Sequence, residues 1–212
     1  TAYEITYGDW SSDVCSSDLI GPALAAGNTI VLKPSEWTPL TALRLAELAS
    51  DIFPPGVFNV VTGDGVPAGD RLVKHPDVGI VSLTGDVATG KLISRNASDT
   101  LKRVHLELGG KAPVVVFDDA DIEAAATWIK IAGDFNSGQD CTAACRVLVG
   151  RKAHDRLLAE LVPAVSKLKV GDPFAADTDM GSVVSKEQLE RVTGFRSEEH
   201  TSELQSPYVI SY

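Results

Sequence analysis

Short apolar segments alternate with helix-like segments along the middle of this 212-residue chain. Short apolar runs bounded by glycine or proline are typical of buried strands, whereas apolar residues spaced three or four apart indicate helices. The alternation predicts an α/β fold with a parallel, doubly wound sheet, because each helix returns the chain to the same end of the sheet. The predicted strands are residues 29–33, 57–61, 78–83 and 103–108, and the predicted helices are residues 39–50, 67–74 and 87–96.

The organisation of the chain changes near Gly109 and Gly110. A new apolar strand follows, and the aspartates at positions 118, 119 and 121 are candidate N-caps for the next helix. The further predicted elements are strands over 112–117 and 146–149 and helices over 122–135 and 154–168. We therefore predict a domain boundary close to Leu108–Gly110, between partial domains formed by residues 20–108 and 109–195.

Both ends of the chain differ from its middle. Residues 8–19 and 196–206 resemble in-frame translations of the two sides of a common short-read sequencing adapter, and residues 1–5 resemble the primer region before it. We therefore predict that residues 1–19 and 196–212 are not native and stand outside the fold. On this interpretation the chain is an internal fragment of a longer gene product.

The charge of the chain bears on its partners. It has 19 basic and 29 acidic residues, a net charge of −10, and without the two ends 18 basic and 22 acidic residues remain, a net charge of −4. This mildly acidic character argues against nucleic acid or an anionic membrane surface as a partner. The sequence also has no apolar run of the ~18 residues that a membrane-spanning helix needs. We expect neither a nucleic-acid nor a membrane partner.

The cysteines bear on metal binding and on the compartment. There are three, and Cys15 lies in the predicted non-native end. Cys141 and Cys145 are four residues apart, with no histidine or further cysteine close enough in sequence to complete a zinc-binding pattern. We therefore expect no metal site and no disulfide framework, and a reducing cytoplasm is the predicted location.

One thiol and one carboxylate stand in glycine-rich surroundings that suit covalent catalysis. Cys141 ends the segment 136–141, and Glu107 ends a predicted strand 34 residues earlier. A thiolate is a strong nucleophile near neutral pH, and a carboxylate can activate water to release a thioester. A predicted helix start at Cys141 would favour the thiolate. His105 and Cys145 are predicted to be packing residues without catalytic work.

Two segments at the carboxyl ends of predicted strands contain residue types that suit ligand binding. Lys33 and Glu36 follow the first strand, where they can bond ribose hydroxyls, although a solvated loop with one ion pair is an alternative. Residues 84–90 join a strand to a helix through a glycine turn, and such a junction binds anions through backbone N–H groups and the helix dipole. Gly65 belongs to a Gly-x-Gly pattern that also fits a plain tight turn.

The segments 107–111 and 136–141 together resemble the active-site signatures of the NAD(P)-dependent aldehyde dehydrogenase superfamily, and the resemblance covers residues 20–195. It implies a Rossmann-like cofactor domain followed by the first part of an α/β catalytic domain, with Cys141 as nucleophile and Glu107 as general base. Glu36 would repel a 2′-phosphate, which favours NAD over NADP. Asp86 departs from the family's usual serine and would repel a phosphate. The cofactor-binding residues implied by the resemblance are Lys33, Ser35, Glu36, Gly65, Gly69, Thr84, Gly85, Asp86, Gly90 and Leu108.

The resemblance also bears on the substrate, a small-molecule aldehyde. The run 138–146 is most similar to bacterial gamma-aminobutyraldehyde dehydrogenases, which implies an omega-aminoaldehyde such as 4-aminobutanal. A betaine-aldehyde or semialdehyde dehydrogenase is an alternative, and so is a non-catalytic homologue with a binding or structural role. The parent protein is expected to be a homo-oligomer, either a dimer or a tetramer. The fragment itself is expected to be inactive, because family segments that hold the oxyanion and the nicotinamide ribose lie outside it.

Overall fold

A computed structural model describes the backbone of residues 3–8 and 19–202 and the side chains of residues 19–195. The chain divides into two compact units between Gly109 and Gly110. The boundary predicted at Leu108–Gly110 includes this position.

The first unit is built on a five-stranded parallel sheet with the order β3-β2-β1-β4-β5. The chain order reverses between β1 and β4, and in open α/β sheets ligands usually bind at such a reversal, beside the carboxyl ends of the two strands. The predicted α/β, Rossmann-like class is therefore confirmed. The strands are β1 (Tyr3–Gly8), β2 (Thr29–Pro34), β3 (Phe58–Val60), β4 (Ile80–Gly85) and β5 (Arg103–Leu108).

Helices cover the sheet of the first unit through two separate apolar clusters. In one cluster, Ile30 and Leu32 of β2 pack with Ile20 and Ala23. The other contains Val81 and Leu83 of β4 together with Val73, Val78 and Ile93. The predicted helix over 67–74 is divided into a π-helical turn, Gly65–Gly69, and a short α-helix. The helices are α1 (Gly21–Ala25), α2 (Leu40–Ser50), α3 (Asp70–Lys74) and α4 (Val87–Ser98).

The second unit pairs two parallel strands, β6 (Ala112–Val116) and β7 (Ala144–Val149), and packs helices against them. Asp121 begins the first of these helices, because its Oδ1 accepts a hydrogen bond from Ala124 N at 3.0 Å. A 3₁₀ turn, Phe135–Gly138, follows that helix. The helices are α5 (Ile122–Asp134), α6 (His154–Ser166) and α7 (Lys186–Ser202). Among the described residues, every helix is too short or too polar to cross a membrane.

The prediction that the two ends stand outside the fold is wrong for the residues that the structure describes there. Tyr3–Gly8 forms β1, the central strand, with Ile5 in register with both Val31 and Val81. The backbone edges of β2 and β4 need hydrogen-bond partners, and a segment rich in aromatic and β-branched residues suits that position. Helix α7 likewise continues to Ser202. Residues 1–2, 9–18 and 203–212 lie outside the described part, and the adapter origin stays a prediction.

The central position of β1 predicts slow hydrogen exchange at the backbone amides of Tyr3–Gly8, at rates similar to those of β2 and β4. Ile5→Pro should also lower the free energy of unfolding by about 1–3 kcal/mol, because it removes a ladder donor and leaves an acceptor unpaired. Exchange followed by mass spectrometry and urea unfolding measure the two effects. Fast exchange over residues 3–8 alongside slow exchange in β2 would contradict the central position.

Candidate functional site

The carboxyl edge of the sheet in the first unit collects most of the predicted cofactor-binding residues. Strand β2 ends at Lys33 and Pro34, β4 ends at Thr84 and Gly85, and β5 ends at Glu107 and Leu108. All three strands are parallel within one sheet, so these ends lie along the same edge. Ser35 and Glu36 come directly after β2, Asp86 comes directly after β4, and the Gly65–Gly69 turn begins five residues after the end of β3.

Lys33 is a buried cation at this edge, with only 1% of its side chain exposed. Its Nζ donates to the Pro34 carbonyl oxygen at 2.7 Å and lies 3.5 Å from Oε2 of the half-exposed Glu36. A buried ammonium group is costly without partners, and these contacts offset part of that cost. The predicted alternative of a solvated loop is therefore wrong for Lys33, although the ion pair is present. The Ser35 hydroxyl accepts from Trp37 N at 3.3 Å and stabilises the turn.

The predicted glycine pair lies at the two ends of one π-helical turn, Gly65–Gly69. The turn begins after Asp64, whose carbonyl oxygen accepts from Ala68 N at 3.1 Å. Gly63, just before it, has φ of +147°. A Cβ there would lie 3.0 Å from the Ala68 Cβ, so the chain needs glycine for both reasons. These contacts give Gly63 a local structural role in the turn.

Asp86 is the N-cap of α4. Its Oδ1 accepts from Ala88 N at 2.6 Å, and its carbonyl oxygen accepts from Gly90 N at 2.9 Å. A carboxylate at this position satisfies a helix donor and complements the helix dipole. The same charge opposes an anionic ligand at the first turn of α4. The aspartate therefore favours the helix at the expense of an anion site.

Thr84 and Gly90 shape the junction between β4 and α4. The Thr84 side chain is buried, and its Oγ1 has no hydrogen-bond partner among the described residues. A Cβ on Gly90 would lie 2.9 Å from Cδ2 of Leu108, so glycine permits close packing of α4 on β5. Leu108 is half-buried by this contact. An unpaired buried hydroxyl beside a helix start fits a ligand that bears oxygen acceptors.

Glu107 is half-exposed and lies beside a histidine. Its side chain is 48% exposed, and its Oε1 lies 3.1 Å from Nε2 of His105. His105 is 52% exposed, so the prediction that it packs in the interior is wrong. Residues two apart on a strand share one face of the sheet, and this alternation is the sequence signal that could have linked the pair. The β4–β5 register places Ser82 beside His105 and Thr84 beside Glu107.

Cys141 lies in the second unit, after three consecutive residues with left-handed backbone. Asn136, Ser137 and Gly138 have φ values of 51°, 60° and 71°. A left-handed conformation costs a residue with a Cβ roughly 1–2 kcal/mol, so the surroundings must hold this backbone. Such strained segments are concentrated at functional sites.

The predicted helix start at Cys141 is wrong, because the half-buried cysteine lies in a turn just before β7. The Asp140 carboxylate shapes this turn, and its Oδ1 accepts from both N and Oγ1 of Thr142 at 2.8 Å. Cys145 lies within β7 and is exposed, which differs from the predicted packing role. Cys141 stands three residues after the left-handed segment, whereas Cys145 stands seven residues after it. Within the described parts of the chain, His, Cys, Asp and Glu side chains form no group of three that could hold a metal ion.

Comparison with known proteins relates the chain to one family. The model of the aldehyde dehydrogenase family matches residues 14–207. The betaine aldehyde dehydrogenase of Vibrio vulnificus is 47% identical over 174 residues, which are 82% of this chain and 36% of that protein.

Solved structures of aldehyde dehydrogenases are also similar to this chain. A betaine aldehyde dehydrogenase from Staphylococcus aureus in complex with NAD+ superposes with a TM-score of 0.86 at 39% identity, over 92% of this chain and 39% of that chain. An NAD-dependent aldehyde dehydrogenase from Sinorhizobium meliloti gives 0.89 at 41% identity, over 95% and 40%. The chain therefore spans about two fifths of the length of these relatives or slightly less.

The strained turn before Cys141 predicts that iodoacetamide modifies Cys141 faster than Cys145, although Cys145 is the more exposed thiol. The physical reason is that the backbone held before Cys141 fixes the position of its thiol, and the reactivity of a thiol does not follow its exposure alone. Peptide mass spectrometry of the 212-residue chain gives both rates in one sample. The chain unfolded in urea is the control, where the two rates should converge. Faster labelling of Cys145 in the folded chain would contradict the assignment.

Proposed function

The chain belongs to the aldehyde dehydrogenase family, and from this premise we propose that it supplies the cofactor-binding edge and the cysteine nucleophile for NAD-dependent oxidation of an aldehyde to a carboxylic acid. The observation that carries the proposal is that Cys141 stands three residues after Gly138, the last of three consecutive left-handed residues. Strain of this kind persists only where the surroundings hold it, and it is typical of active sites.

The residues at the carboxyl edge of the sheet fit NAD. Lys33 and Glu36 would hold the adenosine ribose, and the Glu36 carboxylate disfavours the 2′-phosphate of NADP. The unpaired Thr84 Oγ1 and the first turn of α4 would receive the pyrophosphate. When bound, NAD supplies a two-electron acceptor for hydride. The proposal is supported by the S. aureus relative, whose structure contains NAD+, and by the S. meliloti relative, which is named NAD-dependent.

The first half of the reaction acylates Cys141. Its thiolate sulfur attacks the aldehyde carbon, a C–S bond forms, and the carbonyl π electrons move to the oxygen as an oxyanion. Collapse of that oxyanion restores the C=O bond and expels the aldehyde hydrogen as hydride. The result is a thioester on Cys141, in which the substrate carbon has lost two electrons.

The second half of the reaction hydrolyses the thioester, and Glu107 is the proposed general base. The carboxylate takes a proton from water, the resulting hydroxide adds to the thioester carbon, and the C–S bond breaks to return the thiolate. The half-exposed position of Glu107 supports this role, because a base that activates water needs solvent access. The sum is an aldehyde, NAD+ and water giving a carboxylic acid, NADH and a proton.

For the substrate, an omega-aminoaldehyde such as 4-aminobutanal is favoured by the sequence of residues 138–146. Betaine aldehyde is the second candidate, because the V. vulnificus and S. aureus relatives are betaine aldehyde dehydrogenases. Comparing kcat/KM for these two aldehydes distinguishes the candidates, in a full-length homo-oligomeric protein that carries residues 20–195. A reducing cytoplasm would keep the thiol of such an enzyme in its active form.

The role of Glu107 is tested by Glu107→Gln in that full-length protein. We expect a single-turnover burst of NADH, because the thiolate attack does not need the base. Steady turnover should fall by about 100-fold or more, since the thioester is no longer hydrolysed. Stopped-flow absorbance measures the burst, and mass spectrometry detects the acyl group on Cys141.

Glu160→Gln is the matched control for this test, because Glu160 is an exposed carboxylate on α6. That variant should retain both phases. Loss of the burst in Glu107→Gln with NAD still bound would instead place Glu107 in activation of the thiol. Unchanged steady turnover would leave Glu107 with only its structural contact to His105. Absence of NADH formation in the wild-type protein with any aldehyde would refute the proposed function itself.

Asp86 is expected to weaken NAD binding. Asp86→Ser should tighten NAD about fivefold, a gain of ~1 kcal/mol, because it removes a negative charge near the pyrophosphate position. Serine is as good an N-cap as aspartate, so the stability of α4 should hold, whereas Asp86→Ala should lose about 1 kcal/mol. Isothermal titration and urea unfolding of the full-length protein separate the two effects. Unchanged affinity in Asp86→Ser would show that capping already neutralises the charge.

A further inference from the structure

Two hydrogen bonds tie the loop that carries Cys141 to a distant stretch of the second unit. We call residues 135–143 the nucleophile loop and residues 180–185 the anchor segment. The Ser137 hydroxyl donates to the Gly181 carbonyl oxygen at 2.9 Å. Val184 N donates to Oε1 of Gln139 at 2.9 Å. The loop is therefore held from outside on both sides of Gly138.

Gln139 connects the anchor segment to the left-handed backbone itself. Its Nε2 donates to the Asn136 carbonyl oxygen at 2.9 Å while its Oε1 accepts from Val184 N. Asn136 Nδ2 donates in return to the Gln139 carbonyl oxygen at 3.2 Å. One side chain thus spans the strained turn and couples it to a second element, two residues before Cys141.

The anchor segment is itself fixed at both ends, so it can resist movement of the loop. Met180 forms a parallel bridge with Val170, and its carbonyl oxygen accepts from Gly171 N at 3.0 Å. At the other end, the Ser185 hydroxyl accepts from Gln188 N at 3.1 Å in the first turn of α7. Because the anchor segment is held at both ends, its hydrogen bonds to Ser137 and Gln139 can fix the position of the nucleophile loop.

From these contacts we infer that Gln139 is a positioning residue for the Cys141 thiol, with Ser137 as a second tether, and that the anchor segment sets the geometry of the nucleophile. The inference rests on the proposed function, in which Cys141 is the nucleophile. Position matters because small displacements of a reacting group reduce rates steeply. The hydrogen bonds of both side chains go to backbone groups, so both residues act through the backbone that leads to Cys141.

The test is the ratio of the Cys141 and Cys145 alkylation rates in the 212-residue chain, because Cys145 is an exposed internal reference four residues away. Gln139→Met retains the length of the side chain but makes neither bond, and it should lower the ratio roughly tenfold. Ser137→Ala removes one neutral hydrogen bond and should lower the ratio roughly threefold. Both variants are followed by iodoacetamide labelling and by the urea midpoint.

Ser166→Ala is the matched control, since the Ser166 hydroxyl also donates to a carbonyl oxygen, that of Val162 at 2.7 Å, but in α6. Its ratio should equal that of the wild type. An unchanged ratio in both Gln139→Met and Ser137→Ala would overturn the inference. So would a parallel rise of both labelling rates with a lower urea midpoint, which indicates general loosening.

Different results would refute the role of Cys141 as nucleophile and the positioning role of Gln139 and Ser137. If Gln139→Met does not fold, Ser137→Ala decides the positioning claim by itself. A wild-type chain in which Cys141 reacts no faster than Cys145 counts against the nucleophile of the proposed function. A reactive wild-type Cys141 whose advantage survives in the tether variants refutes only the positioning role.

Discussion

The continuous parallel hydrogen-bond ladder of the first unit is the constraint on which its candidate site depends. Only in a parallel sheet do the ends of β2, β4 and β5 meet at one edge and bring Lys33, Thr84 and Glu107 to the same side. The ladder is continuous because Tyr3–Gly8 lies between β2 and β4 and pairs with both. A sheet without that strand would leave the facing backbone edges of β2 and β4 unpaired.

Local contacts use most of the polar groups at this edge. Lys33 bonds to a neighbouring carbonyl oxygen, and Asp86 caps the helix that follows β4. These bonds stabilise the edge, but they occupy polar groups that could otherwise bind a ligand. The negative charge of Asp86 also remains at the start of the helix, where it opposes an anionic ligand. Thr84 differs, because its buried hydroxyl has no partner among the described residues. At this edge, Asp86 therefore stabilises the fold by capping a helix, whereas the Thr84 hydroxyl is available to bind a ligand.

In the second unit, tertiary contacts hold a left-handed backbone conformation that is intrinsically unfavourable. Three left-handed residues precede Cys141, and they persist because Ser137 and Gln139 bond to a segment more than 40 residues further along the chain. Helix α5, which the Asp121 cap begins, delivers the chain to this turn. Covalent chemistry at Cys141 would thus depend on tertiary contacts well outside the signature that identifies it.

Sequence patterns alone determined the α/β class, most element positions and the candidate residues, because strand and helix periods, caps and short motifs are local properties. Segments of a few residues each also led to the prediction of Cys141 and Glu107 as catalytic residues. Only the tertiary structure decided that Tyr3–Gly8 is the central strand and that Gln139 bonds to Val184. Those outcomes depend on which backbone edges and side chains meet in space, and partners far apart in sequence leave no local period to reveal them.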